Sequence, residues 1–135
     1  MSMESSPGRA AATLTGKRVL VVEDEALVAM LVAGELRGAG AEVVGPAPSV
    51  DDALRLVEAA ADDGISAAVL DINLGGRHVA PVADRLAALG VPFLFATGYG
   101  ENRDARGHEA APVVEKPLDR ERLVAAVAAL ASAGA

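Results

Sequence analysis

Five short, nearly unbroken aliphatic runs alternate with segments of helical spacing from residue 17 onward, and this limits the fold more than any other feature of the chain. The runs are KRVLVV (17–22), AEVVGPA (41–47), ISAAVLD (65–71), VPFLFATG (91–98) and PVVEKP (112–117). Each has the length of a strand, and continuous apolar character is what a strand covered on both faces requires. Between them lie EALVAMLVAGELRGAG (25–40), VDDALRLVEAAADDG (50–64) and VAPVADRLAALG (79–90), and DRERLVAAVAALASA (119–133) follows the last. The first of these has apolar residues at Leu27, Met30, Leu31, Gly34 and Leu36, close to helical spacing, and closes on glycines. Ser49 is placed to cap the second, with Asp51 and Asp52 in its first turn, where the helix dipole favours acids. Pro81 falls in the first turn of the third, where the missing N–H costs little. Alternating strands and helices predict an α/β fold, a parallel sheet with helices on both faces.

The 135 residues suit one domain, and the 52% hydrophobic fraction is ample for its core. Residues 1–16, MSMESSPGRAAATLTG, are small, polar and aperiodic, and are expected to be a flexible tail ahead of a domain over 17–135. No internal repeat is present. Two Phe, one Tyr and no Trp leave little for stacking bases, and a formal net charge of −7 disfavours nucleic acid and anionic membranes as partners. Cysteine is absent, which removes disulfides, thiol nucleophiles and zinc–thiolate sites. No run approaches the roughly 20 apolar residues of a membrane helix, and the first residues lack a signal-peptide core. The expected location is the cytoplasm.

In an open parallel sheet, ligands bind beyond the carboxyl ends of the strands. The first strand runs into Glu23 and Asp24, the third into Asp71, the fourth into Thr97 and the fifth into Lys116. Three carboxylates crowded onto one edge need a positive partner. Mg²⁺, which takes oxygen ligands and keeps several waters, suits two acids from one strand and one from another. A carboxylate beside such a cation is placed to accept a phosphoryl group as a nucleophile, here Asp71, with Thr97 and Lys116 available to the phosphoryl oxygens.

The segments VVEDE, VLDINL, FATG and EKP, in this order and on these strands, resemble the receiver domains of two-component response regulators. The resemblance spans about residues 17–133, and the gaps are 47 residues from Asp24 to Asp71, 26 to Thr97 and 19 to Lys116. It implies a doubly wound, flavodoxin-like five-stranded sheet of order 2-1-3-4-5. It implies phosphorylation of Asp71 by a histidine kinase and signalling through protein–protein contacts. It assigns Mg²⁺ to Asp24, Asp71 and the Asn73 carbonyl, with Glu23 acting through water. Thr97 and Lys116 become phosphoryl-binding and switch residues, and the Lys116–Pro117 bond is expected to be cis. PFLFATGYG (92–100) is similar to the single-domain FAT GUY receivers of α-proteobacteria, in which no output domain follows. Two positions depart from the common pattern: Glu23 replaces Asp, and Val113 stands where many receivers carry an aromatic switch residue.

The rival reading is a phosphatase of the haloacid-dehalogenase type, which also forms an aspartyl-phosphate. That class needs a second Asp two residues after the nucleophile, and Asn73 stands there. A third reading is a non-phosphorylated, receiver-like scaffold. His78 and His108 read as solvated surface imidazoles, and Arg77 as a loop charge. YGENRDARGHEAAP (99–112) lies where a receiver places its fourth helix but has no large aliphatic residue. It is expected to be short, loosely packed and mobile, with Tyr99 a possible switch in place of the aromatic absent at 113.

Overall fold

The computed structural model describes residues 14–60, 62–98 and 104–133. In chain order the elements are β1 (Arg18–Val22), α1 (Ala26–Gly38), β2 (Glu42–Ala47), α2 (Val50–Ala60) and β3 (Ala67–Asp71). There follow β4 (Asn73–Leu74), β5 (Arg77–His78), α3 (Ala80–Ala88), β6 (Phe93–Thr97), β7 (Val113–Glu115) and α4 (Arg120–Ala133). Five strands pair in the order β2-β1-β3-β6-β7, all parallel, which is the 2-1-3-4-5 order of the doubly wound α/β receiver fold. β4 and β5 form a separate antiparallel hairpin.

Alternation along β1 divides the core in two. Leu20 and Val22 join Val50, Val57, Leu70, Val82, Leu86 and Phe95 under α2 and α3. Val19 and Val21 join Val32, Leu36, Val69, Leu94, Leu123 and Val127 under α1 and α4. Every residue of β3 and β6 is buried, as their unbroken apolar runs require. Ser49 Oγ accepts the Asp52 N–H (3.1 Å) and so caps α2.

Four features differ from the sequence-based expectation. On α1 the large residues Leu27, Met30 and Leu31 are 69%, 69% and 58% exposed, whereas Ala29, Val32, Ala33 and Leu36 are buried. The helix is apolar nearly all round, so its period leaves the inward face open, and the alanine face allows the closest approach to the sheet. Leu14, assigned to the tail, is fully buried, and its N–H donates to Ala39 O (2.9 Å). Gly40 permits that docking: at φ +99°, a Cβ there would stand 2.7 Å from Thr15 Oγ1. β7 is an edge strand with Val113 41% exposed, not a buried run. Residues 104–112, finally, run as turns, and no helix forms among the described residues of 99–112.

Candidate functional site

The strand register brings the polar ends together stepwise. Val22 is level with Leu70, Asp71 with Ala96, and Thr97 with Glu115. Glu23 therefore falls beside Asp71, Thr97 one position beyond, and Lys116 directly after Glu115. Backbone bonds hold the steps: Glu23 N–H to Ala47 O (2.9 Å), Ile72 N–H to Ala96 O (3.4 Å) and Lys116 N–H to Thr97 O (2.8 Å). Glu23, Asp71 and Thr97 are buried, and Asp24 is exposed at the rim.

Carboxylate oxygens of Glu23, Asp24 and Asp71 lie within 4.8 Å of one another. Lys116 Nζ stands 2.8 Å from Glu23 Oε1 and 3.3 Å from Asp71 Oδ2. Burial, then the charge of Glu23, push the Asp71 carboxyl up to about 7, while Lys116 pulls it down. Burial works against the Lys116 ammonium, but its hydrogen bonds and charge attractions to Glu23 and Asp71 outweigh this and raise it. Three carboxylates and one ammonium leave two negative charges when all are ionised, and a proton on Asp71 is one way to relieve them. A divalent cation is the other. An all-oxygen set with one acid at the water-facing rim fits Mg²⁺, which retains waters, better than a softer metal.

The hairpin after β3 approaches the same cluster. Asn73 N–H donates to Asp71 Oδ1 (3.4 Å), and Gly76 N–H to Asn73 Oδ1 (3.1 Å). Gly75 and Gly76 have φ of +61° and +90°, the two positive values that a two-residue hairpin turn of right-handed twist demands. A Cβ on Gly75 would lie 3.8 Å from Asp24 Oδ2, so the hairpin tip borders the acids. The Gly-Gly pair between NL and RH signals this turn in the sequence. The Lys116–Pro117 peptide is cis, as is Gly45–Pro46. Tyr99 lies outside the described residues. Arg77 pairs with Asp51 of α2 (3.3 Å) rather than with the cluster. Both histidines make defined bonds that composition and local polarity do not reveal: His78 to Asp104 O and His108 to Asp84.

Residues 19–128 match the response regulator receiver domain. The chain belongs to this family. The receiver is 28% identical over 122 residues to the phyllosphere-induced regulator PhyR of Methylorubrum extorquens, covering 89% of this chain and 45% of that protein. It is 31% identical over 116 residues to the transcriptional regulatory protein PdtaR of Mycobacterium tuberculosis, covering 82% and 55%. It thus spans about half the length of the curated relatives it matches. The solution structure of SdrG from Sphingomonas melonis Fr1 superimposes with a TM-score of 0.73 at 41% identity, covering 87% of this chain and 97% of that one. Crystalline PhyR from Brucella abortus gives 0.69 at 26% identity, covering 87% and 49%. The chain thus carries the receiver domain of the response-regulator class. Among the described residues, no helix is long and apolar enough to cross a membrane.

Proposed function

We propose that Asp71 accepts a phosphoryl group from a histidine kinase in a Mg²⁺-dependent step, and that the phosphorylated receiver signals by binding other proteins in the cytoplasm. The observation that carries this reading is the placement of a buried aspartate between two further acids and a lysine, at the carboxyl edge of a parallel sheet. An Asp71 carboxylate oxygen attacks phosphorus, the O–P bond forms, and the P–N bond to the donor imidazole breaks, leaving the imidazole to take up a proton. Asp24, Asp71 and the Asn73 carbonyl would hold Mg²⁺, with Glu23 reaching it through water, and the cation would neutralise charge on the transferring oxygens. Lys116 would offer the same oxygens an ammonium, and the Thr97 hydroxyl a hydrogen bond. Burial favours the reaction by strengthening each of these electrostatic contacts.

The test is incubation with acetyl phosphate or a purified kinase, with and without EDTA, followed by mass spectrometry of the labelled peptide. One phosphoryl group on Asp71, lost with EDTA and absent from Asp71→Asn, is the expected result. Label retained in Asp71→Asn would remove the assignment.

A further inference from the structure

We propose that His78 is the mechanical link between the Asp71 site and the segment 104–111, and that this link, rather than an aromatic ring at position 113, carries the site's state to the surface. The proposal rests on the phosphoryl-acceptor reading above. His78 sits on β5, opposite Asn73 across the hairpin. Asn73 in turn donates its N–H to Asp71 Oδ1. The hairpin's base is closed by the Val79 N–H, which donates to Ile72 O at 2.9 Å. A change at Asp71 or Asn73 therefore moves a short, closed unit whose far end is the His78 ring.

Both ring nitrogens of His78 are committed. Nδ1 accepts the Ala80 N–H at 2.9 Å, and Nε2 stands 2.6 Å from Asp104 O. A backbone N–H only donates and a carbonyl oxygen only accepts, so the geometry requires a neutral ring with its proton on Nε2. The ring thereby ties the first residue of α3 to Asp104, the first residue of the described segment 104–133.

Among the described residues, the segment beyond Asp104 is held largely by local bonds. Its turns are local: Arg106 N–H to Asp104 Oδ1 (3.1 Å), His108 N–H to Ala105 O (3.0 Å) and Ala111 N–H to His108 O (3.0 Å). Arg106 takes φ +46°, unusual for a side chain of its size. Among the described residues of the segment, the aliphatic side chains that pack on the core are the small ones of Ala105 and Ala111. At its centre His108 Nε2 meets Asp84 Oδ1 of α3 at 2.7 Å, with its ring edge-on to Phe93. Both histidine anchors therefore lead to one block, the hairpin with α3. A segment that buries so little apolar surface takes its position from these bonds, so releasing one of them repositions it.

The test uses the full chain and the variant His78→Asn. The asparagine oxygen reaches only as far as ring Nδ1, so the Ala80 N–H keeps an acceptor while Asp104 O loses its donor. Backbone NMR is recorded with Mg²⁺ before and after addition of beryllofluoride. In the unmodified protein, the amides of Asn73 and Gly76 shift, and so do those of Arg106, Gly107 and His108. In His78→Asn, Asn73 and Gly76 still shift, but the response at Arg106–His108 falls below half. A full response there in the variant, or a wild-type response that stops at the hairpin, overturns the link while leaving phosphoryl acceptance intact. Silence at Asn73 and Gly76 in the wild type overturns both. Long-range ¹H–¹⁵N correlation of the wild-type ring is an independent check: a proton on Nδ1 refutes the link without any variant.

Discussion

Glu23 and Lys116 lie 2.8 Å apart, Oε1 to Nζ, although β3 and β6 separate the strands that carry them. Both side chains are nearly buried, at 4% and 13% exposure. The extra methylene of Glu over Asp gives Glu23 this reach, and the lysine is shared with Asp71 rather than held by it alone. On the proposed function, a phosphoryl group on Asp71 would compete with Glu23 for Lys116.

Glu23→Gln is expected to weaken Mg²⁺ binding by about tenfold, ~1.4 kcal/mol, through loss of one nearby charge. It is also expected to lower the Asp71 pKa, because the charge of Glu23 is the second cause of its elevation after burial. Calorimetric Mg²⁺ titration checks the first effect, and side-chain carboxyl ¹³C shifts against pH check the second. Unchanged values for both would show that Glu23 is electrostatically isolated from Asp71.

Lys116→Ala leaves two buried carboxylates without their cation. The expected cost is about 3 kcal/mol of stability at neutral pH in the absence of metal, the penalty of removing one partner of a buried pair. Mg²⁺ adds the missing positive charge, so the loss shrinks as Mg²⁺ is raised. Urea denaturation across a Mg²⁺ series measures it. Mg²⁺ affinity should hold or rise, while phosphorylation slows by about 100-fold.

The elevated Asp71 pKa sets the sign of a pH effect. The folded protein holds a proton up to about pH 7 that the unfolded chain gives up near the ordinary aspartate value of 3.8. Stability from this group is therefore fully present at low pH and is lost as pH rises through 7. Between pH 5 and 8, by about 2–4 kcal/mol at most, metal-free protein should lose stability that Asp71→Asn does not lose. Comparing urea midpoints of the two proteins across that range isolates the effect. Mg²⁺ binding near pH 7 should release a proton, which calorimetry in buffers of different ionisation enthalpy detects.

On α1 the exposed and buried faces are expected to respond in opposite ways. Leu27→Gln, Met30→Gln and Leu31→Gln should each change stability by no more than about 0.5 kcal/mol. Ala33→Leu, at a position 1% exposed, should cost about 1–3 kcal/mol by forcing the helix off the sheet. Thermal melts of the four variants settle which face is inward.

The strand ends were legible because four of the five aliphatic runs stop at a polar residue, and a parallel sheet places such stops on one edge. Glu23, Asp24, Asp71, Thr97 and Lys116 needed no more than that. The face of α1 was not legible, since large apolar residues weigh more than alanine in a periodicity reading while alanine packs closer to a sheet. Leu14 is the one large aliphatic residue of the segment AAATLTG (10–16), and its burial depends on the distant pair Ala39 and Gly40. The partners of His78 and His108 lie 26 and 24 residues away in sequence, beyond the reach of any local pattern. The turns of 104–112 follow from a lack of aliphatic residues that was visible, but their anchoring to α3 was not.

Proline stands at both margins of the main sheet. β2, one outer strand, contains Pro46, and β7, the other, is three residues long and bracketed by Pro112 and Pro117. A proline offers no N–H to an added strand, and a three-residue edge gives little length to template one. Growth of the sheet by β-augmentation, whether by a peptide, a second copy or a misfolded neighbour, is disfavoured on either side. On the proposed function, recognition of this receiver would accordingly fall to side chains on helices and loops, leaving the backbone edges closed to added strands.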